Sequence, residues 1–529
     1  MKKTIVILLV ISLLFSLCSC SRPSSQNENN SGITSDERKY ITLAYCINDV
    51  LNPYTAVTEF NQNLSNLIYD PLVKADASFT VKFVLAENIN LYDSKCEVTL
   101  KTTAFSDGTP LTANDVIYSF NCAKESKKFK ALEKAVSSIY KSDDKTVVFT
   151  LYKYDPNFCS LLTFPIIKSG TANLKTDNDM NLPPIGCGKY LPDTDNLKLL
   201  RNNNYHGDLP YSEYINLYNT PDYEALKYAI TTGKVSLWHT NYNGADTIVT
   251  NGSTVSSPSN NFIYLGINLE NEHLAKPQMR YALSAIISRN EICTNVFEGY
   301  AVGTSSIFNP SWSAVKNSID NITDSKNNIF IDNLEEIGYN RLDTSGNRLT
   351  DKGKSLSFKL LYCNKTDIKV TLANEIAEQL KKVGINVDLI GLEYDDYVKS
   401  LNSRNFDLYL AETVISLNMD YSELLCSDGS LNFSKAPMTD QETEDNESTE
   451  DSSESNSDDN VYTTLDEIIS AYYNGETEIY EFINMFSLEL PIIPLCYKNT
   501  VLSYQNNLAN NWICSPCDPY YSVADCYYK

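Results

Sequence analysis

The carboxylates of "GLEYDDY" could do the acid–base chemistry of a hydrolase. Glu393, Asp395 and Asp396 lie within one short segment, and paired carboxylates can give and take protons when their surroundings separate their pKa values. The same acids follow a predicted strand and open a predicted helix, where carboxylates stabilise the free N–H groups of the first turn. We therefore predict a helix N-terminus in this segment, and a carboxylate-based hydrolase remains the alternative.

A second reactive candidate is "CSPC", in which Cys514 and Cys517 are followed by Cys526. A lone Cys-x-x-Cys pair supplies only half of the ligands of a tetrahedral zinc ion, so a zinc site is not predicted. A disulfide and two free thiols both remain open for this pair. Most of the other cysteines stand singly in apolar segments, and a chain of this length does not need disulfides for stability.

The stretch "FSDGTPLTANDVIYSF", residues 105–120, has the polar composition of a catalytic or metal loop. Its acids, Asp107 and Asp115, are far apart in sequence, whereas a calcium loop clusters several acids. Asp107 and Gly108 form a turn dipeptide, and Thr112 with Asp115 has the spacing of a capping box ahead of an apolar helix face. The sequence therefore predicts a turn and then a helix that begins after Thr112.

The charge of the chain argues against one class of partner and locates an insert. The 529 residues carry a formal net charge of −24, which disfavours nucleic-acid binding because that function needs a basic face. Residues 438–460 hold ten acids and no Lys or Arg. Because such a tract repels itself and lacks apolar side chains, we predict a disordered acidic insert there.

Residues 1–20 predict export. A basic start and the apolar run "TIVILLVISLLF", which is too short to span a membrane, precede the cleavage region "LCSC". This arrangement resembles the bacterial lipoprotein signal, which implies that Cys20 is diacylated; an ordinary secretory signal is the alternative. Residues 21–38 then form a flexible tether. Two acyl chains would hold the protein on the extracytoplasmic side of the cell membrane.

Hydrophobic patterns predict an α/β protein with two lobes. Alternating apolar and polar residues predict antiparallel strands between residues 40 and 165. Farther along, strands alternate with helices from "LSFKLLYC" to "FDLYLAE", which implies a parallel sheet with right-handed crossovers. The run "LPIIPLCYKNTVLSYQ" is strand-like but broken by two prolines. An α/β unit between a long N-terminal region and a short C-terminal return predicts two lobes, with a ligand in the cleft between them.

Seven segments, all in the same order, resemble the family 5 extracellular solute-binding proteins, the oligopeptide, dipeptide and nickel receptors of bacterial ABC importers. They are "LNPY", "LIYDPLVKAD", "VLAENINLYDSKCEVTLKTTAFSDG", "PPIGCGKYLP", "YLGINLENEHLAKPQMRYALSAIISRNEI", "LANEIAEQLKKVGINVDLIGLEYDDYVKSL" and "LPIIPLCY". Each motif is weak alone, and the shared order makes the resemblance specific.

The resemblance implies a two-lobed fold of the periplasmic-binding-protein type (type II, cluster C-like). Lobe I would comprise residues 39–265 and 489–529, with an inserted subdomain near 77–190, and lobe II residues 266–488. The family further implies a ligand buried at the hinge, the permease subunits of an ABC transporter as partners, a monomer, and no cofactor.

The resemblance also indicates which residues would contact the ligand. They lie after the first strand, on the crossing strand and in the cleft loop: Asn52, Tyr54, Tyr264, Asn268, Asp420 and Tyr421. Aromatic faces with a few amides suit a peptide backbone or a sugar equally.

The cleft loop departs from the family pattern. Residues 411–425 lack the family's Trp and the Asp that meets a peptide's ammonium, and Glu412 or Asp420 would have to replace that acid. The three histidines, His206, His239 and His273, fall in no family cleft motif, so no metal site is predicted. We expect a non-enzymatic receptor for a short peptide. The alternatives on the same fold are a receptor for a sugar or another small solute and a sensor of peptide signals.

Overall fold

The computed structural model describes residues 40–244, 247, 252–316, 329–434, 462–509, 512–513, 515–516 and 518–529. The predicted signal peptide with Cys20, the tether, the acidic insert at 438–460 and the pair Cys514 and Cys517 lie outside the described residues. Within the described ranges, no helix is long and apolar enough to cross a membrane.

The largest sheet mixes parallel and antiparallel strands. In spatial order its strands are Leu237–Asn241, Ile492–Gln505, Gly252–Ile267, Leu408–Val414, Ser357–Cys363 and Asn386–Leu392, with Ala301–Gly303 paired to Ile492–Gln505. The last three strands of this order are parallel to one another, as predicted from their alternation with helices, and the other pairs are antiparallel.

Two four-stranded sheets lie in the N-terminal part of the described chain. The first has the order Thr42–Tyr45, Tyr214–Asn219, Lys198–Arg201 and Tyr190–Asp193. The second is fully antiparallel, as predicted for this region, with the order Ala86–Tyr92, Lys95–Leu100, Thr146–Leu151 and Val136–Lys141. Two short pairs complete the sheets of the described residues: Val73–Ala75 with Val81–Phe83, and Leu508–Ala509 with Tyr527–Tyr528.

Most of the α-helices of the described residues follow a strand in the chain. In chain order they are Glu59–Ile68, Ala113–Glu125, Lys130–Ala135, Tyr223–Thr231, Pro277–Ile286, Arg289–Glu291, Ile329–Glu336, Asp367–Lys381, Tyr394–Asn402, Ser422–Leu425, Leu465–Tyr473 and Ile479–Glu489.

The helix Ala113–Glu125 begins where the sequence predicts. The Asp115 carboxylate accepts hydrogen bonds from the backbone N–H of Thr112 at 2.9 Å and from its hydroxyl at 2.7 Å. The second Asp115 oxygen accepts from the backbone N–H of Ser169 at 2.8 Å. The acid of this stretch therefore closes the helix N-terminus and ties it to a distant loop.

Two large hydrophobic cores and one smaller cluster are present among the described residues. Core I draws on residues 41–237 and 502–526, whereas core II is built chiefly from residues 262–501. The strands Gly252–Ile267 and Ile492–Gln505, called here the crossing strands, pair along their length. The second of them contributes Val501 to core II and Leu502 to core I, so the strand passes directly from one core to the other. The lobe boundaries predicted above stay predictions.

The second crossing strand corrects one expectation. The run predicted to be broken by two prolines is a single strand from Ile492 to Gln505. Pro491 precedes this strand, and Pro494 pairs with Tyr264 beside a shift in register. A residue at a bulge does not donate a backbone hydrogen bond to the neighbouring strand. Proline, which has no N–H, can therefore occupy such a position within a central strand.

Candidate functional site

A cavity of about 580 Å³ lies between the two cores. Its wall includes the helix Glu59–Ile68 and the strand Leu237–Asn241 from the side of core I, and residues 414–417 from the side of core II. The crossing strands supply the part of the wall that joins them, through residues 259–261 and Thr500. A cavity of this size and position can enclose a small-molecule or short-peptide ligand.

Contacts away from the crossing strands also join the two cores. The Asn418 amide donates a hydrogen bond of 2.7 Å to the Asp155 carboxylate, and the Asn157 amide donates one of 3.1 Å to the Tyr472 hydroxyl. An ion pair links Lys134 to Glu423. Burial raises the pKa of Asp155 to about 6. The cores are therefore in contact both at the crossing strands and beside the cavity.

His239 is a buried residue of the cavity wall. It lies on the strand Leu237–Asn241 and is 8% exposed. Neither Nδ1 nor Nε2 has a hydrogen-bond partner among the residues that the structure describes. Burial lowers the pKa of His239 to about 4, so the imidazole is neutral at pH 7, with one ring nitrogen that can donate and one that can accept.

Two other ionisable side chains line the cavity, Glu59 and Lys128. Glu59 opens the first turn of its helix after the N-cap Thr58, and its carboxylate accepts from the Thr240 hydroxyl at 3.2 Å. Partial loss of hydration raises the pKa of the Glu59 carboxyl. Lys128 donates to the Pro53 carbonyl at 3.0 Å, and burial lowers its pKa. The wall thus carries one carboxylate and one ammonium, on residues that remain exposed to solvent.

Amides and hydroxyls make up most of the remaining polar wall. Asn63, Asn66, Asn241, Asn260 and Asn261 all face the cavity. The Oδ1 atom of Asn261 is buried and has no hydrogen-bond partner within the described part of the chain. The wall therefore offers mainly neutral donors and acceptors.

None of the six residues predicted to contact a ligand belongs to this wall. Asn52 and Tyr54 shape a buried turn, in which the Asn52 amide donates to the Ala172 carbonyl at 2.8 Å and its oxygen accepts from the Tyr54 N–H at 2.9 Å. The Tyr54 hydroxyl donates to the carbonyl of Pro165. Both side chains are used for packing and local structure.

The two residues predicted on the first crossing strand are also used structurally. Tyr264 is 2% exposed and stacks on Phe262 in core II. Asn268 lies just past the strand, and its amide donates to the Phe406 carbonyl at 3.1 Å.

The cleft-loop residues have partners within the protein. Asp420 accepts from the Ser422 N–H at 2.9 Å at the start of a short helix. Tyr421 is 1% exposed, and its hydroxyl lies 2.9 Å from that of Tyr497. Glu412 pairs with Lys498 at 2.5 Å. A ligand-binding role for the six predicted residues stays a prediction that this geometry does not favour.

The carboxylates of the hydrolase alternative lie at an exposed helix N-terminus and not on the cavity wall. Glu393 is the N-cap of the helix Tyr394–Asn402, and Asp395 and Asp396 lie in its first turn, as predicted. All three are exposed, and Asp396 pairs with Lys399 at 2.9 Å. None of them lines the cavity.

Sequence reasoning missed the wall residues because they belong to no motif. Glu59 is one acid on an amphipathic helix, and His239 is one polar residue in the short strand "LWHTN". The only local signal is the alternation of the strand, which places His239 and Asn241 on one face.

Comparison with known proteins gives consistent matches. The profile of the bacterial extracellular solute-binding proteins, family 5 Middle, matches residues 81–432. The oligopeptide-binding protein AppA of Bacillus subtilis is 26% identical over 429 residues, 76% of this chain and 78% of the relative.

Solved structures match over almost the whole chain. The structure of AppA from Bacillus subtilis in complex with a nonapeptide has 22% identity and a TM-score of 0.54, and the match covers 92% of this chain and 98% of that one. The structure of a nickel ABC transporter from Bacillus halodurans has 20% identity and a TM-score of 0.71, with coverage of 91% and 98%.

Proposed function

The chain belongs to the family 5 bacterial extracellular solute-binding proteins, and from this premise we propose that it captures a short peptide in its cleft for an ABC importer. The resemblance predicted from the sequence motifs and the predicted two-lobed α/β fold class are confirmed. On this proposal the peptide is bound without turnover and is then delivered to the permease subunits.

One observation carries the choice of a peptide: the cavity wall is rich in neutral amides, with a neutral imidazole and a single acid and base. A peptide backbone presents alternating N–H donors and carbonyl acceptors, which such a wall can pair. The relative AppA is named for oligopeptide binding, and its structure holds a nonapeptide.

The same wall disfavours the nickel of the second structural relative. Imidazole and other nitrogen ligands bind Ni²⁺ best when several converge on the ion. Only one histidine is present on the described wall. Among the described residues, no group of three or more His, Cys, Asp or Glu side chains could hold a metal ion.

The proposal includes attachment of the receptor to the cell membrane. A diacylated Cys20 would anchor the protein, as a monomer, to the outer face of the cell membrane, and residues 21–38 would give it reach. The capture of peptides does not depend on this anchor, so a chain that begins at Ser21 tests the binding function alone.

Native mass spectrometry of the chain from Ser21 tests the proposal. The protein is stripped of ligand, mixed with a tryptic digest of casein and desalted, and we expect one peptide to be retained per molecule. Asn241→Trp, which fills the cavity, should abolish retention. The matched control is Asn204→Trp, at an exposed position off the wall, and it should leave retention unchanged.

The alternatives give distinct results. Absence of any retained peptide, together with a thermal shift from a sugar panel, would replace the peptide with a sugar. Peptide retention that Asn241→Trp leaves intact would place the binding site elsewhere.

A further inference from the structure

We propose that His239 is the specificity-determining residue that pairs with the peptide backbone of the ligand. One ring nitrogen would accept a hydrogen bond from a ligand N–H, and the other would donate to a ligand carbonyl. This inference rests on the proposed function and adds to it the group of the peptide that is recognised.

The first argument is the unmet hydrogen-bonding capacity of the ring. His239 is 8% exposed, and neither ring nitrogen has a partner in the described chain. A buried polar group without a partner has lost its hydration without compensation, so proteins seldom retain one unless a ligand or water completes it. His239 belongs to the cavity wall, and both ring nitrogens are covered in this structure, so on this proposal the ligand displaces the side chains that cover the ring and supplies the missing partners.

The second argument is that the other histidines are already satisfied. His206 Nε2 lies 2.8 Å from the Asp70 carboxylate, and His273 Nδ1 lies 2.6 Å from the Tyr339 hydroxyl. The lack of partners therefore distinguishes the histidine on the cavity wall from the two that lie off it.

The third argument is the chemistry around the ring. The Asn63 amide donates to the backbone carbonyl of His239 at 3.4 Å, which holds the helix against the strand. The Oδ1 atom of Asn261, on the first crossing strand, is a second buried acceptor without a partner in the described residues. Together these groups offer one donor and two acceptors, all neutral, which complements a peptide backbone better than an ionic ligand.

Imidazole nitrogen NMR tests this inference directly because the chain has three histidines. We label histidine with ¹⁵N in the chain from Ser21 and add the same casein digest. Binding should shift the His239 nitrogens to the values of one fixed tautomer, protonated at one nitrogen and unprotonated at the other. The signals of His206 and His273 should not move.

Two substitutions separate hydrogen bonding from packing. His239→Leu keeps bulk but removes both polar atoms, and we expect peptide affinity to fall at least about tenfold, the equivalent of one or two hydrogen bonds. His239→Gln keeps a donor and an acceptor, and we expect its affinity to stay within about threefold of the parent protein. His273→Leu is the matched control and should bind as the parent does.

Each result has one meaning. Peptide binding by the parent protein without any change at the His239 nitrogens would overturn the inference, as would unchanged affinity in His239→Leu. If His239→Leu fails to fold, the NMR result and His239→Gln decide. If the parent protein retains no peptide, the proposed function fails, and the inference falls with it.

Discussion

Asp70 is a carboxylate buried in core I between a lysine and a histidine. It is 1% exposed and lies 3.3 Å from the Lys74 ammonium and 2.8 Å from His206 Nε2. Lys74 also pairs with Asp518 at 2.9 Å, which joins the N-terminal part of the chain to its C-terminal part. Burial alone would raise the pKa of Asp70, but Lys74 and His206 together hold it below its ordinary value.

Asp70→Asn should lower the free energy of unfolding by about 3–5 kcal/mol at pH 7, because it leaves the Lys74 charge short of a buried partner. Since the folded-state pKa of Asp70 is depressed, its contribution is complete above about pH 4. It is lost as the pH falls through the lower folded-state value. Urea unfolding at pH 7 and at acid pH should therefore show a difference between parent and variant that shrinks in acid.

Asp179→Asn is the control for this experiment. Asp179 pairs with Lys175 at 2.7 Å, but its side chain is 83% exposed, and its φ of 63° suits asparagine. We expect a change within about 0.5 kcal/mol. An effect of Asp70→Asn as small as that of the control would show that the buried cluster adds little stability.

At the scale of single elements, the N-terminus of the helix Ala113–Glu125 depends on one carboxylate that accepts from two segments. Thr112→Ala removes a hydroxyl but leaves the backbone N–H bonded to Asp115, so it should cost about 1 kcal/mol. Asp115→Ala leaves the part-buried N–H groups of Thr112 and Ser169 without their acceptor. Its cost should be about 2–3 kcal/mol, measured by urea unfolding.

The chain offers a matched control for this element. Thr464 and Glu467 form the same capping box at the helix Leu465–Tyr473, but both residues are exposed, and within the described residues Glu467 accepts from the neighbouring Thr463 and Thr464 alone. Glu467→Ala should cost about 1 kcal/mol or less. Equal costs for Asp115→Ala and Glu467→Ala would mean that the bond to Ser169 contributes nothing.

Elements whose cause is local could be predicted from the sequence. Residue spacing predicts the capping box of Thr112, and hydrophobic periodicity predicts the parallel unit from Ser357 to Val414. Both patterns are formed by residues that are close in sequence. The strand Ile492–Gln505 was mispredicted as broken because its tolerance of Pro494 depends on a bulge formed with another strand. The candidate site was missed for the same reason, because His239 becomes part of a cavity wall when segments that are distant in sequence pack around it.

At the scale of the whole molecule, the contact between the cores beside the cavity should respond to pH. Burial, helped by nearby Asp420, raises the pKa of Asp155 to about 6, against the opposing effect of the hydrogen bonds from Asn418 and Asn157 and of the Lys153 charge. If the cores separate, water returns to Asp155 and its pKa falls toward about 4. The contacting state therefore binds the extra proton, so contact is favoured below pH 6 and weakened as the pH rises through 6.

Small-angle X-ray scattering of the ligand-free protein checks this expectation. The radius of gyration should be larger at pH 7.5 than at pH 5, and Asp155→Asn should remove the difference, because an amide carries no charge to hydrate. Asp179→Asn, with its exposed carboxylate, should behave as the parent protein. A radius that is independent of pH in the parent would show that Asp155 does not govern the contact.

The passage of the second crossing strand between the cores also sets an order of events during synthesis. Core II is assembled from one nearly continuous stretch, whereas core I needs Leu508, Tyr520 and Val523, and the half-buried Lys74 pairs with Asp518. Core II can therefore fold before core I is complete. The apolar side chains of core I are translated earlier, but they stay exposed until the C-terminal residues are synthesised. A chain that is truncated near residue 500 would therefore have a folded core II and an incomplete core I with exposed apolar side chains. Such a molecule is a substrate for chaperones and proteases.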